Sequence, residues 1–171
     1  MTVFEESNLH FEFDDKYNII KSDNNVNIVN AKRFLQGTKD TDFLGFYTPD
    51  KIFFMEVKNF RGVNYEDIDV LTNEVAQKLR DTIAIIAGAS RNSTHNNVFW
   101  QTLHKKIGQN DIEIRYVFWL EEDVMLNNPQ AKNRLQTINA KLKSKCKWLT
   151  TKVFVQSINN YQLDGINARF T

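Results

Sequence analysis

A single cysteine, Cys146, stands in a chain of 171 residues. That excludes an intrachain disulfide and any multi-cysteine zinc site. Near an apolar helical stripe, Cys146 reads as a small core residue. Histidine is scarce too: His10, His95 and His104 are too far apart to form a ligand motif and read as structural or exposed. Two prolines and six glycines leave no linker that would split the chain and no glycine-rich phosphate loop. The apolar stretch Ile83–Ala89 falls far short of a bilayer span. The first residues lack a basic region followed by an apolar one, so no signal peptide is expected and the default is a cytoplasmic chain without a membrane partner.

What remains is ordinary in bulk, with 42% hydrophobic and 25% charged residues. It predicts one domain over 1–171 with a substantial core. Thirteen phenylalanines point to a bulky aromatic core, which Trp100, Trp119 and Trp148 would help to fill. The near-neutral net charge hides an asymmetry. Met1–Glu74 carries 14 acidic and 8 basic residues, and Val75–Thr171 carries 7 acidic and 14 basic. An acidic half joined to a basic half suits an enzyme of polyanions and equally a domain whose surface charge simply varies.

Alternation predicts strands at Leu9–Phe13 and Tyr17–Ser22. Val29–Leu35 fits a short helix or an irregular segment. Ile68, Leu71, Val75, Leu79, Ile83 and Ile86 predict a long helix over Tyr65–Ala87, with Glu66, Asp67 and Asp69 in its first turn and Gly88 as its stop. Ser90–Asn97 reads as a polar loop and Val98–Ile107 as a helix. Ile112–Leu120 reads as a strand whose second half is apolar on both faces. Asn128 and Pro129 open a last helix with a buried stripe and a lysine-rich remainder. Val153–Val155 is a final strand, and the polar tail from Ser157 shows no pattern. The order predicts an α/β fold, a central mixed β-sheet flanked by helices.

The chemistry concentrates in Thr41–Lys58. Two apolar runs flank a Thr48–Lys51 break, which reads as a hairpin, and each strand carries an acid. Glu56 and Lys58 are two apart and share a face. Buried charges are costly unless paired or bound to metal. For Asp42 to share that face it must lie opposite Glu56 or two residues off; direct pairing puts Phe46 opposite Ile52 and leaves an odd, five-residue loop, Tyr47–Lys51, which is the register expected, whereas a four-residue loop would send Asp42 to the other face. Asp40, before the apolar run, reads as a solvated turn residue.

Asp42…Glu56-Val57-Lys58 resembles the signature of the PD-(D/E)xK nuclease superfamily, over the hairpin firmly and over the preceding strand and following helix loosely. Thr41 stands where that signature carries proline. The resemblance implies a restriction-endonuclease-like fold and a metal-dependent endonuclease acting on DNA rather than RNA. Asp42, Glu56 and the backbone oxygen of Val57 would hold Mg2+, for which Mn2+ could substitute. Lys58 would position or deprotonate the attacking water, or neutralise charge on the phosphate. The family also implies an upstream acid, for which Glu5, Glu6 and Glu12 are candidates, Glu6 or Glu5 fitting an N-terminal helix best. It further implies a polar residue on the following helix, Gln77 or Lys78. Glu74 and Lys78 would alternatively pair on an exposed helix face. Arg61 would touch a phosphate or lie in solvent. A homodimer would suit double-strand cutting, and recruitment by a partner protein would suit a chain this short. Two other classes compete: a nuclease-fold scaffold that binds nucleic acid without cutting, and an unrelated domain in which Glu56 and Lys58 merely pair.

Overall fold

Alternate residues of the central strands go to opposite sides, and the two sides build different cores. The computed structural model describes residues 1–48, 50–63, 67–123 and 129–171. Its elements are β1 (Thr2–Glu6), β2 (Leu9–Phe13), β3 (Tyr17–Lys21), α1 (Val26–Phe34), β4 (Phe43–Tyr47), β5 (Lys51–Asn59), α2 (Ile68–Asn92), α3 (Asn97–Ile107), β6 (Glu113–Glu121), α4 (Pro129–Cys146), β7 (Lys152–Gln156) and β8 (Ile166–Phe170). Pro49 of the hairpin turn, the expected helix start at Tyr65 and the Asn128 cap lie outside the described residues. Among those residues no helix is long and apolar enough to cross a membrane.

Five strands form a mixed sheet in the order β3-β4-β5-β6-β7. β3, β4 and β5 are antiparallel neighbours, whereas β5, β6 and β7 run parallel. Parallel neighbours need crossovers; α2 with α3 supplies one and α4 the other. One face of the sheet, with Leu44, Ile52, Phe54, Tyr116 and Phe118, packs on buried residues from all four helices. The opposite face, with Phe43, Phe53, Met55, Val117 and Trp119, packs on Leu9, Phe11, Phe13, Ile166 and Ala168. These last belong to a second sheet of three strands, β1-β2-β8. Helices therefore cover one face and not both. The phenylalanines of β2 take the place that a further helix would have filled. The second half of β6 is buried on both sides, as its sequence requires.

Several expectations need correction. The segment with Glu5 and Glu6 is a strand, not a helix. It pairs with β2 across a two-residue turn in which Ser7 and Asn8 have φ of 52° and 62°, a geometry that asparagine tolerates. The tail supplies β8, which pairs with β2 at residues whose polar faces look out to solvent. Gly88 does not stop α2. Ile85, Ile86, Ala89 and Ser90 remain buried, so packing outweighs glycine's cost of about 1 kcal/mol. Asp40 is buried rather than solvated, because Lys32 lies 2.7 Å away. Trp148 is 55% exposed rather than in the core. It follows Cys146, the last buried residue of α4, in a turn where the Leu149 N–H bonds the Cys146 carbonyl.

Candidate functional site

β4 and β5 pair with Phe43 opposite Met55, Leu44 opposite Phe54, Gly45 opposite Phe53 and Phe46 opposite Ile52. This is the odd-length register that the spacing of the acids demands. Continued by one residue, it sets Asp42 opposite Glu56. Both lie on the helix-facing side, as do Leu44, Phe46, Ile52 and Phe54.

Hydrogen bonds hold Asp42 at the mouth of β4. Its Oδ2 accepts the Val57 N–H at 2.7 Å, and its carbonyl accepts the Ser22 N–H. One residue earlier, Thr41 is fully buried and its N–H donates to Thr82 Oγ1 of α2 at 2.9 Å. That bond gives a physical reason for threonine where the nuclease signature has proline. Proline has no N–H to donate, and the entry to β4 would lose its tie to α2.

Glu56 has no solvent exposure. Lys78 of α2 places its ammonium 2.6 Å from Glu56 Oε1, and Lys58 lies 3.7 Å from the same oxygen. The Lys78 ammonium thus engages Glu56 Oε1, while Glu56 Oε2 is buried with no hydrogen-bond partner among the described residues. Lys58 donates instead to Glu74 Oε1 at 3.3 Å, where Lys39 also approaches to 3.8 Å. The expected Glu74–Lys78 pair is thus replaced by two pairs that cross from helix to strand. Side-chain exposures of 16% for Lys78 and 27% for Lys58 mark them as the lid over Glu56.

Burial, reinforced by the Asp42 charge, pushes the Glu56 carboxyl up to about 8, against the pull of Lys78 and Lys58. Burial likewise raises Asp42 to about 6, with Glu6 adding to the rise and Lys78 and the Val57 N–H opposing it. The pair therefore shares one proton at neutral pH. Burial alone would lower Lys78, yet the Glu56 and Asp42 charges hold its ammonium above the usual lysine range. Lys58 lowers the Glu74 carboxyl despite partial burial.

Glu56 makes stability depend on pH. Its folded value lies above its ordinary 4.5, so between these values the folded chain holds a proton that the unfolded chain has lost. Stability from this group falls as pH rises through that window. Relative to Glu56→Gln, the wild type is expected to lose up to about 1.4 kcal/mol per pH unit there. Urea unfolding of both proteins from pH 5 to 9 measures this, and parallel profiles would show that Glu56 ionises freely.

Of the other expected residues, Glu6 comes close enough to raise Asp42, while bonding Lys21 at 2.9 Å. Gln77 does not join; its amide donates to Asp81 at 3.4 Å, and it lines a cavity of about 700 Å³ between α1 and α2. That cavity does not touch Asp42, Glu56 or Lys58. Arg61 does not join either, since its guanidinium stacks 3.4 Å from the Phe170 ring and bonds Asn59. Lys39 and the Thr41–Thr82 link were not singled out in the sequence. Only the docking of α2 brings them near the hairpin.

Asp42, Glu56 and the Val57 carbonyl are the oxygen ligands that the resemblance assigns to magnesium, a hard ion that prefers oxygen. Glu56 Oε2, buried and without a hydrogen-bond partner, is the atom a cation would satisfy. Among the described residues no group of three or more His, Cys, Asp or Glu side chains converges, so a cation here would rest on two carboxylates, a carbonyl and water. Comparison with protein-family models, with curated proteins and with solved structures finds no match to this chain.

Proposed function

We propose that this chain is a divalent-cation-dependent nuclease of the restriction-endonuclease-like class, cutting phosphodiester bonds of DNA in preference to RNA. One observation carries the reading: a fully buried glutamate set opposite an aspartate, with two lysine ammoniums closing over it. A purely structural ion pair needs one lysine and has no use for a second acid that raises the cost of ionising the first. When bound, magnesium would polarise the scissile phosphate and lower the pKa of an attacking water. Asp42, oriented by the Val57 N–H, and Glu56 would hold the ion. Lys58 would leave Glu74 to orient the water or meet charge developing on the phosphate. Lys78 would move off Glu56 and add a second positive charge.

A second reading, a nuclease-fold protein that binds without cutting, is favoured by one feature. The Lys78 ammonium, 2.6 Å from Glu56, already sits where a cation would. Calorimetry with Mn2+ separates the readings. Binding that Asp42→Asn abolishes, together with Mg2+- or Mn2+-dependent cutting of plasmid or branched DNA, supports the nuclease. No binding and no cutting on any DNA leaves the scaffold. Binding unaffected by Asp42→Asn means the cation sits elsewhere.

A further inference from the structure

The end of α4 carries a cluster that the proposed chemistry does not use. From Pro129 to Lys152 the sequence holds seven basic residues and no acid. Two of them reach α2: Lys141 bonds Asp69 at 2.7 Å and Lys145 bonds Asn73. Lys143, Lys147 and Lys152 are exposed, and they form no ion pair among the described residues. Beside Lys147 stands Trp148, 55% exposed, while Trp100 and Trp119 are fully buried. The hollow at Lys147 and Lys152 also holds Asp111 and Glu113, but Glu113 is already engaged by Arg115 at 2.8 Å.

An exposed indole next in sequence to Lys147, with Lys143 one turn before that lysine and Lys152 beyond, the three lysines without ion pairs among the described residues, matches one kind of ligand. The bases of a single strand expose π-faces that stack on aromatic rings, and its phosphates attract lysines. A duplex keeps its base faces stacked inside. A protein partner rich in acid would satisfy the lysines and leave the indole without a specific role. The geometry points to a docking surface for single-stranded DNA, with phosphates on Lys143, Lys147 and Lys152 and a base on Trp148. The kind of partner rests on the nucleic-acid reading above; the surface does not need the site to be catalytic.

The test uses the full chain, oligothymidylate and EDTA, so that binding is read without cleavage. The oligonucleotide should exceed the usual single-strand site of about 4–16 nucleotides. Because the other two tryptophans are buried, acrylamide quenching reports Trp148. Oligothymidylate is expected to shield it. Combined Lys143→Glu, Lys147→Glu and Lys152→Glu should weaken binding at least tenfold. They should also flatten the slope of log K against log salt by about 2, at about 0.7 per single-strand phosphate. Trp148→Ala should weaken binding about five- to a hundredfold with the slope unchanged. All four positions are exposed, and circular dichroism checks that the variants fold. Unchanged affinity in the lysine variant, a Trp148 that stays open to acrylamide with the strand bound, or tighter binding of duplex than of single strand would each overturn the surface. A chain that cuts DNA but fails these tests loses only the docking surface; one that passes them without ever cutting loses only the nuclease.

Discussion

If the chain is the nuclease proposed above, Glu56→Gln is expected to reduce metal-dependent DNA cleavage about a thousandfold, and on either reading it is expected to make the protein more stable above pH 8. Both effects have one cause. The carboxylate is fully buried, only one of its oxygens is engaged by Lys78, and its ionisation is opposed by burial and by Asp42. Glutamine keeps the shape and removes that charge. Losing an anionic ligand costs the transition state about 4 kcal/mol, comparable with losing a principal electrostatic contact. The folded state meanwhile no longer has to ionise a buried acid. A residue serving only the fold would not separate the two readouts. Cleavage rates at saturating Mn2+ beside urea midpoints at high pH make the comparison. A glutamine variant that cuts as fast as the wild type sinks the assignment, whatever its stability.

Gly45→Ala should destabilise the protein by about 3 kcal/mol or more. Gly45 lies in β4 opposite Ile19 of β3 and Phe53 of β5, with φ at +152°. A Cβ there would sit 2.2 Å from the Asn18 carbonyl oxygen and 2.8 Å from Ile19 Cα. Both are backbone atoms in a paired strand, so neither can swing aside. Relief requires β3 to move away, which breaks the sheet next to the Ser22–Asp42 hydrogen bond. The site should therefore suffer with the fold. Gly88→Ala is the control. Nothing lies within 4 Å of a Cβ at Gly88, and alanine in a helix interior should stabilise by up to about 1 kcal/mol. Denaturant midpoints of the two variants should shift in opposite directions. A Gly45→Ala midpoint at the wild-type value would mean that β3 and β4 are packed more loosely than described.

The hairpin was legible because strand patterning is local. Apolar alternation, and the need to put two acids on one face, together select the register with Phe46 opposite Ile52. The long helix was legible for the same reason, although its end was misplaced by trusting Gly88 over the buried residues beyond it. Choosing between Gln77 and Lys78 was not a local matter. Neighbours on a helix point about 100° apart, and only the rotation of α2 against β5 sends Lys78 to Glu56 and Gln77 to Asp81. The same rotation splits the expected Glu74–Lys78 pair. The Glu6 charge acts on Asp42 because β1 folds back along β2, which a helical reading of the N-terminus could not supply.

By itself, then, the order of residues determined that Glu56 and Lys58 share one face of a strand, since a strand's period is two; whether Asp42 joins them depended on the β4–β5 register, which only the pairing settles. Tertiary structure alone decided that Glu56 lies wholly out of water, that Lys78 rather than Gln77 closes over it, and that Trp148 is left outside. Burial sums contributions from elements far apart in sequence, and no local pattern encodes that sum.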